Sequence, residues 1–180
     1  LEENNEDVQI ESYYSPFDQI NQETYEQLNR SSVGQVCDEI DRLLTESVRL
    51  RLVSDVPVGS LCSGGVDSSL ITALACRESS DVRVFNVNVT DAPDQELSEG
   101  IYAERIARHL GISMYRFDLD KRKFLEGFAH TLYHNDLPLT HPNAVPMFYI
   151  SRLAAQNGVK VLLSGEGADE LFGGYDWRYQ

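Results

Sequence analysis

Two short stretches gather the residue types that do chemistry. The first, SGGVDSS, runs from Ser63 to Ser69 and places two glycines and three hydroxyls around one carboxylate, Asp67. It follows an apolar run and precedes a helical pattern, so it occupies the turn between a strand and a helix. Gly64 and Gly65 free the backbone to turn successive N–H groups toward one concave side, and the new helix directs its positive end at the same point. Such a corner binds anions. Ser63, Ser68 and Ser69 add small hydroxyl donors of the kind phosphate oxygens accept from. A bare SGG turn could do no more than cap a helix, but the hydroxyls here outnumber what capping requires. Asp67 would repel a phosphate unless a divalent cation stood between them, and Mg²⁺ fills that role. The lysine of the GxxxxGK[ST] loop is missing, which sets the stretch apart from kinase-like and GTPase-like phosphate loops.

The second stretch, SGEGADE from Ser164 to Glu170, again follows an apolar strand and crowds Glu166, Asp169 and Glu170 into a glycine-rich turn. A dinucleotide GxGxxG is excluded, because Glu170 stands where the third glycine belongs. An exposed acidic loop is the plain alternative in a chain this acidic. Position argues for more: if the two strands are neighbours, Asp67 and Asp169 lie at one sheet edge, where a pair of carboxylates can share metal ions.

The pattern between the two stretches supplies that sheet. Apolar spacing predicts a helix from Gly34 to Arg51, a strand over Val56–Cys62, a helix over Ser68–Arg77 and a strand over Val82–Val89. A helix over Glu96–Leu110, with Ala103, Ile106, Ala107 and Leu110 inward, stops at Gly111. A strand over Ile112–Leu119, helices over Lys123–His134 and Val145–Gln156, and a strand over Val159–Leu163 complete the series. This alternation predicts an α/β domain, a mainly parallel sheet with helices on both faces, whose ligands sit at the carboxyl ends of its strands. Residues 1–33 carry no clear period and read as a linker, leaving 34–180 as the one domain.

Composition bounds the function. The 180 residues carry a formal net charge of −14, which opposes broad contact with nucleic acid or an anionic membrane. No apolar run reaches the length of a membrane helix, and the acidic N-terminus lacks the order of a secretory signal, so an intracellular, cytoplasmic setting is expected. Cys37, Cys62 and Cys76 lack paired or metal-binding spacing and are expected to be small buried hydrophobes. His130 and His134 lie four apart without the glutamate of a zinc-protease motif, so packing is expected of them.

SGGVDSS resembles the pyrophosphate loop of the N-type ATP pyrophosphatases, which split ATP to AMP and pyrophosphate while adenylating an oxygen. Taken with LSGEGADELFGGY, the sequence closely resembles the synthetase domain of the glutamine-dependent asparagine synthetase family, β-lactam synthetase relatives included. The resemblance implies an adenine nucleotide alpha hydrolase-like (PP-loop) fold. It implies that Ser63, Gly64, Gly65, Ser68 and Ser69 bind pyrophosphate, that Asp67 and Asp169 ligate Mg²⁺, and that Leu61, Val87, Ser164 and Gly165 contact adenosine. Glu166 matches an acid near the reacting carboxylate. The implied reaction is ATP-dependent amidation of aspartate, with ammonia supplied from glutamine by a glutaminase domain preceding this segment. Further synthetase residues, a catalytic lysine among them, are expected beyond Gln180, so the segment by itself should synthesise weakly or not at all. A homodimer is an assembly the resemblance allows. One stretch departs from the pattern: HNDLPLTHPNAVP has Asp136, Leu137, Pro138 and then His141, Pro142, Asn143, where many members carry Asp-Glu-Pro and Asp-Pro-Ser. A related amidotransferase acting on another carboxylate, such as a cell-surface sugar acid, and a noncatalytic adenine-nucleotide sensor are therefore alternatives.

Overall fold

A computed structural model describes residues 10–91, 99–136, 138 and 141–175. The chain divides into two compact units, Leu1–Arg42 and Leu43–Gln180. In the first, a short 3-10 turn at Pro16–Gln19 precedes helix α1, Gln22–Arg30, whose start is fixed by Asn21 accepting the Thr24 N–H at 3.1 Å. The sequence reading assigns no structure to this stretch. Its hidden signal is that asparagine cap, since the helix buries no residue and so shows no core-facing run. Helix α2, Val33–Arg51, begins one residue earlier than its apolar spacing indicates. Cys37 is exposed there, which corrects the expectation that all three cysteines are buried.

The second unit is built on four parallel strands: β1 Val58–Leu61, β2 Arg83–Val89, β3 Met114–Leu119 and β4 Val161–Leu163, in the order β3-β2-β1-β4. Between them run α3 Val66–Glu78, α4 Glu99–Leu110, α5 Lys121–Asn135 and α6 Ala144–Gln156, and a short α7, Ala168–Phe172, follows β4. Strands β3 and β4 are shorter than their apolar runs because their first residues close helices. Ile112 N–H returns to Ala107 O, and Val159 N–H returns to Ala154 O, each across a glycine of positive φ, Gly111 and Gly158. The first residues of the expected helix at Glu96–Leu110 lie outside the described residues.

Alternation along β2 explains why both faces are covered. Val84 packs with Cys62 and Ala103 on one side, while Phe85 packs with Ile150, Ala154 and Val159 on the other. Further apolar layers join Val58, Leu74 and Leu163 to Val48 of α2, and Leu119 to Val145 and Tyr149. The core therefore grips the sheet from both sides and leaves its carboxyl edge open, which is where loops can build a site. Among the described residues no helix is long and apolar enough to cross a membrane.

Candidate functional site

The direction of the chain reverses at β1. From β1 it moves outward to β2 and β3, then returns to place β4 on the other flank of β1, with Val58, Gly59 and Ser60 paired to Val161, Leu162 and Leu163. In an open parallel sheet the crevice at such a reversal is the ligand position. The two stretches singled out in the sequence both start at this edge, so the condition that would bring Asp67 and Asp169 together, adjacent strands, is met.

The first loop is held by its own hydroxyls. Ser63 and Ser68 share a hydrogen bond at 2.8 Å, the Ser63 N–H donates to Ser68 Oγ at 3.1 Å, and the Gly65 N–H donates to Ser63 Oγ at 3.2 Å. Gly64 takes φ +103°, a conformation open to glycine. Helix α3 begins at Val66, two residues earlier than its pattern suggests, and its N-cap, Gly65, has no side chain to accept a bond. Capping is therefore not what the serines do, and the first-turn N–H groups of α3 keep their capacity for a ligand. Below the loop, Ser60 and Thr72 hydroxyls meet at 2.9 Å in the core and tie α3 to β1.

The second loop presses against the first. A Cβ at Gly165 would stand 2.9 Å from Asp67 Cβ and 2.9 Å from Ser68 N, so the backbone after β4 lies directly on the first turn of α3. Gly167 at φ +92° starts α7 and Gly173 at φ +74° ends it. The chain then folds back, and a Cβ at Gly174 would collide with Asp169 Oδ1. The Tyr175 hydroxyl donates to the Glu170 carboxylate.

Together these loops line a cavity of about 450 Å³. Leu61, Ser63, Gly65, Asp67, Ser68, Val87, Ser164, Gly165, Glu166 and Asp169 all face it. Gly64 and Ser69 do not; the Ser69 oxygen is shut off from solvent with the Cys62 thiol beside it. Val89, Pro146, Met147 and Ile150 give the cavity an apolar wall beneath α6, suited to a flat ring. Among the described residues four carboxylates line it, those of Asp67, Glu166, Asp169 and Glu170, and no Lys, Arg or His does. Cations would offset this charge for an entering anion, and the donor set of carboxylate oxygens suits Mg²⁺. Among the described residues no three metal-type side chains converge.

Asn86, Asn143 and Tyr175 also face the cavity; none is among the site residues expected from sequence, although Asn143 belongs to the departing stretch HNDLPLTHPNAVP. Asn86 had a readable signal, as one of two amides set among the apolar residues of VFNVNV. Cys62, 1% exposed, has its thiol pushed up by burial, only partly offset by Ser69, Thr72 and the Gly64 N–H, and so is no nucleophile. His130 and His134 do pack, their rings stacked on Phe148 at 5.9 and 6.0 Å.

A parallel sheet carrying a glycine-serine anion corner after one central strand and an acidic glycine loop after its neighbour defines an α/β domain of the PP-loop, adenine nucleotide alpha hydrolase class. Solved structures agree on the fold: the glutamine-dependent NAD⁺ synthetase of Acinetobacter baumannii aligns with a TM-score of 0.54 at 23% identity, over 77% of this chain and 27% of that one. The family model described as asparagine synthase matches residues 39–180, and the chain belongs to that family. It is 37% identical over 138 residues to asparagine synthetase [glutamine-hydrolyzing] 1 of Bacillus subtilis, covering 77% of this chain and 21% of the relative. It is 34% identical over 154 residues to asparagine synthetase B [glutamine-hydrolyzing] of Escherichia coli, covering 77% and 27%. The chain thus spans about a fifth to a quarter of the length of these relatives.

Proposed function

We propose that this chain contributes the ATP-activating site of an enzyme that converts a carboxylate to an amide, aspartate to asparagine being the first candidate. The observation that carries this reading is the junction of the two loops in one acid-lined cavity, Gly165 lying against Asp67. ATP would lay its base along the apolar wall near Leu61, Val87, Ser164 and Gly165. Its distal phosphates would meet the α3 N-terminus and the Ser63–Ser69 loop, where Gly64 and Ser69 shape the corner from outside the cavity. Asp67 and Asp169 would hold Mg²⁺, whose charge offsets that of the departing pyrophosphate. A substrate carboxylate oxygen bonds to the α-phosphorus as the bond to pyrophosphate breaks, and ammonia then displaces AMP from the acyl-adenylate. Glu166, which lines the cavity, would bind or orient the reacting groups. Positioning and charge neutralisation supply most of the rate, because the protein need form no covalent bond of its own.

In the full-length protein, ammonia would come from glutamine through a glutaminase domain of the kind named in the relatives, and the reaction would take place in the cytoplasm. Asn143 supports a second reading of the acceptor. It lines the cavity from the stretch that departs from the family pattern, so a carboxylate other than aspartate would be the substrate if that wall sets specificity. Full-length protein given ATP, Mg²⁺, ammonia and a panel of carboxylates, scored for AMP, separates these readings. AMP dependent on aspartate favours the first, AMP dependent on another acid the second, and nucleotide binding without AMP points to a sensor and refutes both.

A further inference from the structure

β2 carries an amide where its neighbours are fully apolar. Val84 and Phe85 are 0% exposed and Asn86 is 1% exposed, and a polar group so placed is unfavourable unless it is bonded. Its Nδ2 donates to the Cys62 carbonyl at 2.7 Å. The Cys62 N–H donates to Phe85 O at 2.9 Å. Both ends of this residue are thus clamped by successive positions of β2, and the next residue, Ser63, opens the anion loop. The other end of the amide, Oδ1, is shut off from solvent and has no partner. The N–H groups of the loop that could reach inward are already engaged, Ser63 on Ser68 Oγ and Gly65 on Ser63 Oγ. A leucine of similar size would avoid the unpaired oxygen, so the amide is explained by its one bond, to Cys62.

That bond has an electrostatic consequence. A free Cys62 carbonyl would set a partial negative charge at the foot of a corner that must attract phosphate. We propose that Asn86 is a positioning residue of the nucleotide site, acting through the Cys62 carbonyl so that the corner presents the first-turn N–H groups of α3 and not a C=O to the anion. The inference rests on the functional reading above and adds to it a residue that acts through the Cys62 carbonyl.

The test uses full-length protein, calorimetric titration, and two probes: inorganic pyrophosphate with Mg²⁺, and adenosine. Asn86→Leu should weaken pyrophosphate binding about tenfold, as the loss of one buried hydrogen bond implies, while adenosine binding stays within about twofold. Asn86→Asp removes the same donor and adds negative charge, so its loss for pyrophosphate should be larger and should shrink with added salt. Should the leucine variant not fold, Asn86→Ser, which leaves room for a bridging water, is read by the same criteria. Pyrophosphate affinity equal to that of the unaltered protein, or equal losses for both probes, would overturn the inference and leave the functional reading standing. Failure of the unaltered protein to bind pyrophosphate at all would remove both.

Discussion

Gly165→Ala tests the contact on which the site depends. Gly165 is not among the residues of positive φ, so alanine meets no backbone strain there and any effect is steric. The added methyl would sit 2.9 Å from both Asp67 Cβ and Ser68 N and 3.0 Å from the Asp67 carbonyl carbon, roughly half an ångström inside ordinary contact. Two of those three atoms are backbone in the first turn of α3, which cannot rotate away. Overpacking of this kind destabilises by about 1–3 kcal/mol. If the loops separate instead, Asp67 shifts within the cavity it shares with Asp169, and since a displacement near 1 Å lowers rate about a hundredfold, half of that should lower it about tenfold. Urea denaturation and ATP-dependent AMP formation measure the two outcomes. Gly167→Ala is the control: with φ +92° and no atom within 4 Å of its Cβ, it carries strain but touches neither Asp67 nor Ser68. It should lose about 1–2 kcal/mol of stability. A Gly165→Ala protein with unaltered stability and unaltered AMP formation would show that the two loops are not in contact, and the reasoning would fail with it.

The remaining expectations concern charge, packing and reactivity. Asp67→Asn and Asp169→Asn should each lower AMP formation by about two orders of magnitude or more and raise the Mg²⁺ concentration needed, as read from Mg²⁺ titrations of the rate. Gly127→Ala should destabilise by about 1–3 kcal/mol, because the new methyl would lie 2.5 Å from the Tyr149 ring, whose hydroxyl is tied to Lys123 O; denaturation should register this while pyrophosphate affinity stays unchanged. Of the three thiols, Cys37 should react first with a thiol reagent, while burial raises Cys62 and Cys76 and delays them until unfolding, as absorbance kinetics with and without urea would show. The Asn88 amide, followed by Arg116, holds the Asp118 carboxyl below its usual range. A depressed carboxyl stabilises the fold above its unfolded value near pH 4 and loses that contribution as pH falls through the folded value. Asp118→Asn should therefore flatten the acid limb of a stability profile below about pH 4, by a small amount because the side chain is half exposed.

Much of the fold was legible because its strands and helices bury apolar residues at periods of two and 3.6. Ala103, Ile106 and Ala107 were readable as an inner face, and Val84 and Phe85 as a strand covered on both sides. What escaped lies where that periodicity is absent. Helix α1 buries nothing, so only the Asn21 cap marks it. Helix α7 is five residues enclosed by glycines and reads as a turn. Strand order is not written in local pattern, so the adjacency of β1 and β4 could be posed only as a condition. The chemistry-bearing residues of the two loops were visible because glycine, serine and carboxylate together suit neither core nor cap. Ser69 shows the limit of that signal, since its type fits phosphate while its place under the loop turns it toward Cys62. Asn143 and Tyr175 reach the cavity through tertiary folding alone.

Transfer of the adenylyl group of ATP to a carboxylate is the proposed central step, and an isotope can follow the attacking oxygen. Full-length protein is incubated with ATP, Mg²⁺, ammonia and an acceptor whose carboxylate is labelled with ¹⁸O, and the phosphorus products are analysed by mass spectrometry. An acyl-adenylate route places one labelled oxygen in AMP and none in pyrophosphate. Label in inorganic phosphate alongside ADP, or unlabelled AMP formed together with amide, would contradict it.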